Sequence, residues 1–297
     1  MNINQIIKGR FPIILFLVLI SFCLASCSGG SKSKNEISGL VNIQGYNGHA
    51  MEPFIDRNGK YLFFNSLNDS IDTSLYYAVK QDDNNFQLIG KINGVNKAPP
   101  HLDAVGSMDI NNNFYFISTR NYPNDYKNVY KGLFVNGMVN EINPVEGDFY
   151  IQQPGWIIMD AEISPDGNSL YYVNARFAGN QWPEEADIRI AHLIDGKFMK
   201  DGNSDNIMKN INTGKGLEYA PSIIDDGLEL YFTRLNSVTS LPQIYVARRK
   251  TKLEAFGQPE LVGLDGFVEA PSISYDKTKL YFHKKVNGIH KIYKVSM

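Results

Sequence analysis

At 297 residues the chain is long enough for two ordinary domains, although all-β barrels and propellers run past about 250 residues as one unit. With 29 basic residues against 31 acidic ones, it has no positive field to hold nucleic acid non-specifically, which excludes that class of partner. Its 17 tyrosines and 17 phenylalanines favour strands over helices.

The chain opens with the pattern of an export signal. Lys8 and Arg10 form a basic head, and residues 11–22 are almost wholly apolar, a run shorter than the roughly 20 apolar residues that a bilayer span needs. Leu24-Ala25-Ser26-Cys27 resembles the lipobox of bacterial lipoproteins. The resemblance implies that residues 1–26 are a lipoprotein signal peptide and that Cys27 becomes a lipidated N-terminus. Its acyl chains would anchor the protein to a membrane of the cell envelope, expected to be the outer membrane on its periplasmic or surface side. The Gly/Ser-rich stretch 28–35 reads as a flexible tether, so the anchor and tether occupy 27–36 and the folded domain 37–297. The other cysteine, Cys23, lies in the discarded segment, leaving the mature domain no disulfide and no catalytic thiol.

From residue 37 onward one pattern recurs five times: a short apolar strand, a polar turn, and a second strand with a pair of apolar, mostly aromatic residues. Its copies, in chain order, are Glu52-Pro53-Phe54-Ile55 before Leu62-Phe63-Phe64, Ser107-Met108-Asp109 before Phe114-Tyr115-Phe116, and Ala161-Glu162-Ile163 before Leu170-Tyr171-Tyr172. The last two, Ala220-Pro221-Ser222-Ile223 before Leu230-Tyr231-Phe232 and Ala270-Pro271-Ser272-Ile273 before Leu280-Tyr281-Phe282, are in register at an offset of 50. Turns rich in Asp, Asn and Gly separate the paired strands: 56–59, 111–113, 165–167 and 225–227. These residues accept the backbone of a tight hairpin, so they are read as turn chemistry, with no metal site expected.

Third strands are expected at 75–79, 129–135, 188–193, 244–247 and 289–295, and fourth strands near 86–92, 138–142, 207–211 and 260–262. The fifth unit runs out of chain, and the strand-like run 37–43 is its natural completion. The expectation is an all-β, five-bladed β-propeller closed by an N-terminal strand that completes the last blade, monomeric and without exposed sheet edges at the seam. The repeats resemble the TolB-type, WD-like propeller family, whose units carry Pro-Ser-x-Ser-x-Asp-Gly before an aromatic strand. That resemblance implies a binding or scaffold role more often than catalysis.

One acid per blade falls just before the expected innermost strand: Glu52, Asp103, Asp160, Glu218 and Glu269. After the second strands come Arg120, Arg176, Arg234 and Lys284, while Trp156 and Trp182 occupy loops of the same face. Each acid can pair with a base of the same or an adjacent blade, a repeated inter-blade clamp without a ligand. Two readings give the face a function. In one it binds an envelope protein or a glycan, with the indoles stacking on a sugar or packing their own loops. In the other, a pair among Asp160, Glu162, Glu218 and Glu269 serves as the two carboxylates of a glycan hydrolase. His49, His101 and His283 lie toward this face without metal-ligand spacing. Residues 201–206 start like a calcium loop, but Asn206 and Asn212 stand where glycine and glutamate are needed. No phosphate-binding loop or nucleophile elbow is present, so no cofactor is expected.

Overall fold

The computed structural model describes residues 39–297 apart from 70, 181, 215, 225 and 237–239, and no side chain at 236. The signal segment, Cys27, the tether and the turn residue Asp225 lie outside the described residues. Strands β1 (Gly39–Leu40) and β2 (Asn42–Gln44) precede five antiparallel sheets. Blade 1 holds β3 (Met51–Ile55), β4 (Tyr61–Asn65), β6 (Leu75–Lys80) and β7 (Asn85–Lys91); the short β5 (Asp72–Thr73), between β4 and β6 in sequence, pairs in parallel with the first strand of blade 2. Blade 2 holds β8 (His101–Met108), β9 (Asn113–Ser118), β10 (Val129–Val135) and β11 (Met138–Pro144). Blade 3 holds β12 (Trp156–Ile163), β13 (Ser169–Arg176), β14 (Glu185–Ile194) and β15 (Lys197–Lys200), followed by one helical turn, α1 (Ser204–Ile207). Blade 4 holds β16 (Gly216–Ile223), β17 (Glu229–Asn236), β18 (Pro242–Arg248) and β19 (Glu260–Leu261), and blade 5 holds β20 (Val268–Ile273), β21 (Lys279–Val286) and β22 (Ile289–Ser296).

The five-bladed propeller is therefore real, and the N-terminal run closes it in a more elaborate way than one added strand. β1 pairs antiparallel with β22, Gly39 opposite Lys294, and Val41 N–H donates to Ile292 O at 2.9 Å. The chain then crosses the seam, and β2 pairs in parallel with β7, the outer strand of blade 1. One short segment thus staples two blades. The fourth strand of blade 3 is β15, not the expected 207–211: Ile207, Met208 and Ile211 belong instead to the helical turn and its exit, buried against blade 4.

The paired aromatics explain how the blades stack. Successive residues of a strand face opposite sides of its sheet, so a pair serves two interfaces at once. Tyr171 packs into the cluster between blades 3 and 4, and Tyr172 into that between blades 2 and 3. Tyr231 faces blade 5 while Phe232 faces blade 3; Tyr281 faces blade 1 while Phe282 faces blade 4. Phe63 and Phe64 split in the same way. Each inner hairpin closes through a three-residue turn bond with a left-handed residue at its end, such as Gly167 (φ +75°), whose N–H donates to Ser164 O at 2.9 Å. Blade 5 keeps the geometry with Lys277 at φ +61°.

Candidate functional site

Each innermost strand carries a bulge at which its pairing with the second strand slips by a residue. Two residues there oppose one, which frees the second from ladder bonding and admits Pro53, Pro221 and Pro271. The first bulge residue is left-handed in four blades: Glu52 (φ +50°), Val105, Ala220 and Ala270. The bulges line an axial cavity of about 30 Å³, roughly the room for one water molecule.

All five acids sit within the innermost strands rather than before them, and they do not form one ring. Asp103 and Glu218 occupy matching positions in blades 2 and 4, and each is locked inside its own blade. The Arg234 guanidinium donates to Glu218 Oε1 at 2.8 Å and to Ile211 O at 2.7 Å, with Phe232 and Tyr245 beneath it at 5.4 and 4.9 Å. Thr213 N–H and its hydroxyl supply the rest of that carboxylate's bonds. Blade 2 repeats the arrangement: Arg120 donates to Asp103 Oδ1 at 2.8 Å and to Val95 O at 2.7 Å over Phe116 and Tyr130, while Lys97 N–H donates to Asp103 Oδ2 at 2.8 Å. Burial raises the pKa of Glu218 despite these donors.

The other two bases serve elsewhere. Arg176 pairs with Glu184 and Glu185 on the rim of blade 3, and Lys284 lies 5.9 Å from the Tyr293 ring. Val268 stands opposite Lys284, where Glu218 stands opposite Arg234. Trp156 is the first residue of β12, opposite Arg176 and half-buried. Trp182 is 49% exposed.

Glu52, Asp160 and Glu269 remain, from blades 1, 3 and 5, and these gather at one mouth of the channel. Their charges act on one another, and Tyr219 feels all three. Burial, then the charge of Asp160, pushes Glu52 up to about 8. Burial pushes Asp160 up to about 7, against the Ala220 N–H that donates to its Oδ2 at 3.2 Å. Burial acts in the same direction on Glu269, but the His283 ring and the Tyr219 hydroxyl, which donates to Glu269 Oε1, hold it below the ordinary carboxylate range. Glu52 Oε1 accepts from Asn68 at 2.9 Å, and its buried Oε2 has no partner.

Glu162 lines the same axial cavity as Asp160 but is taken up by other partners. It meets Arg57 from the blade 1 turn at 3.3 Å, both side chains buried, and accepts from Ile223 N–H at 3.1 Å. Ser107, Ser222 and Ser272 hold the same strand position and accept from Ile163, Ile273 and Ile55 of the following blade at 3.1–3.2 Å. Glu162 is therefore one member of an inter-blade circuit.

The sequence reading missed His290. It lies on β22, 5% exposed, with its ring 5.1 Å from that of His283 and 5.7 Å from that of His49. Burial, then the nearby His283, lowers His290 to about 4. His283 Nε2 is 2.9 Å from Glu269 Oε2, and its Nδ1 accepts from Glu52 N–H at 3.1 Å. Glu269, His283 and His290 each offer one donor atom within 4.8 Å of the others. Strand pairing assembles this trio from positions too far apart for a spacing motif; the one sequence signal is a histidine at 283, where the other blades carry Asn65, Ile117, Val173 and Thr233. His101 is half-exposed at the start of β8 and joins no such group.

The sequence matches no family model and no curated protein. Among solved structures the fold is similar to an endo-arabinase from Bacteroides thetaiotaomicron, at 14% identity over 88% of this chain and 97% of that one, TM-score 0.54. It is similar also to an α-L-arabinofuranosidase from Podospora anserina, at 9% identity over 87% and 95%, TM-score 0.54. TolB from Acinetobacter baumannii aligns at 11% identity over 84% of this chain and 55% of that one, TM-score 0.47. At these identities the likeness is one of fold alone.

Proposed function

We propose that this protein is a lipid-anchored recognition propeller of the bacterial cell envelope, which binds a protein partner or a glycan on the channel-mouth face without turning it over. One observation carries the reading: Asp160 and Glu269 are buried and accept internal hydrogen bonds, Glu52 is half-buried, and the bulges beside them leave a cavity of about 30 Å³. The cavity beside them is narrow, whereas a rim bearing Trp156, Trp182 and the Arg176 ion pairs offers aromatic and charged contacts to a larger ligand. The anchor rests on the lipobox resemblance at Cys27.

A hydrolase is the second reading, favoured by the divergent ionisation of three converging carboxylates, with Glu52 and Asp160 raised and Glu269 lowered. It narrows the candidate pair to Asp160 with Glu52 or Glu269, because Glu218 and Glu162 are engaged elsewhere. A photo-crosslinker placed at Trp182 and, separately, at the exposed turn residue Asn58 on the opposite face tests the recognition reading in native membranes. The expected result is a discrete adduct from position 182 and none from 58. Equal labelling from both, or none from 182, overturns the assignment of this face.

A further inference from the structure

We propose that Glu269, His283 and His290 form a binding site for one divalent transition-metal ion, with zinc as the natural probe. The site lies within blade 5 beside the channel mouth, and its occupancy is independent of which ligand the face recognises.

Three observations carry it. The donor set of two imidazoles and one carboxylate is one that zinc takes, and the three donor atoms already lie within 4.8 Å of one another. Bonds of about 2.0–2.1 Å around a tetrahedral zinc ion place neighbouring ligand atoms about 3.3 Å apart; His283 Nε2 and Glu269 Oε2, now hydrogen-bonded at 2.9 Å, need to separate by only about 0.4 Å. Second, His290 is 5% exposed, and its Nδ1 is buried without a hydrogen-bond partner. A buried polar atom left unpaired is costly, and a lone pair facing a cation is one way to satisfy it. Third, three carboxylates converge here, and among the described residues none of them pairs with a lysine or arginine. A dication would supply the missing positive charge, and the Tyr219 hydroxyl on Glu269 would orient that ligand.

Binding requires one local rearrangement. The imidazole proton of His283 now sits on Nε2, facing Glu269, because Nδ1 accepts from Glu52 N–H. A metal on Nε2 moves that proton to Nδ1, so the Glu52 amide must turn away. Glu52 stands in the bulge at φ +50°, and its N–H donates to His283 rather than to the ladder with β4, so turning it breaks no strand pairing.

Chelator-treated full-length protein titrated with zinc, and separately with cobalt followed by its visible absorption, tests the site. The expected result is one equivalent bound with tetrahedral-type cobalt bands and a raised thermal midpoint. His290→Gln and Glu269→Gln should each weaken zinc at least about 100-fold, while His192→Gln, on blade 3, leaves it unchanged. The wild-type titration stands by itself if a variant does not fold. Absence of saturable uptake by folded wild-type protein, or equal uptake by His290→Gln, overturns the site and leaves a His283–Glu269 hydrogen bond with the His290 ring packed beside it; neither result bears on the crosslinking test of the recognition face.

Discussion

Arg234 is the cation that meets Glu218, beside the Thr213 N–H and hydroxyl, and the Glu218 side chain is wholly buried. Removing one partner of such a pair leaves an uncompensated charge, so Arg234→Ala should cost about 3–5 kcal/mol in urea unfolding. Arg176→Ala, which breaks only exposed rim pairs, should cost under about 1 kcal/mol. The mouth acids predict a pH dependence in the metal-free protein. Glu52 and Asp160 have raised folded-state pKa values, so the native state holds protons that the unfolded chain releases. Their contribution is fully present below about pH 4 and is lost as pH rises through about 7 to 8. Glu52→Gln should flatten that decline, read from urea midpoints at about pH 5 and about pH 8. An acid in every blade was legible in the sequence. Which acids meet an arginine was not, because a one-residue offset on the strand, Glu218 against Glu269, decides whether the partner opposite is Arg234 or His283.

At the scale of elements, the aromatic pair of each second strand was the strongest sequence signal, because its two residues are needed at two interfaces. Phe232 is fully buried between blades 3 and 4, so Phe232→Ala should cost about 3–5 kcal/mol by chemical denaturation. The prolines at 53, 221 and 271 fall inside the segments expected as strands, and they are tolerated there because each is a bulge residue. The misplaced fourth strand of blade 3 has a similar cause. Ile207, Met208 and Ile211 form a short apolar run whose period does not distinguish a strand from a helical turn, whereas Phe198 alone marks β15 as buried.

For the whole molecule, closure depends on a segment that touches both sides of the seam. Deleting residues 39–44 should lower the thermal midpoint and speed hydrogen exchange in β22 and β7 together, since both lose a neighbouring strand. The donor was legible because blade 5 lacked an outer strand; its crossing to blade 1 was not, because a parallel pairing of three residues leaves no pattern of its own. The central claim is that the converging carboxylates serve structure and recognition, not bond cleavage. Reducing-end release from a broad polysaccharide panel, measured for the wild type and for Asp160→Asn, tests it most directly. The account predicts no product above blank from either protein; product from the wild type that Asp160→Asn fails to make would contradict it.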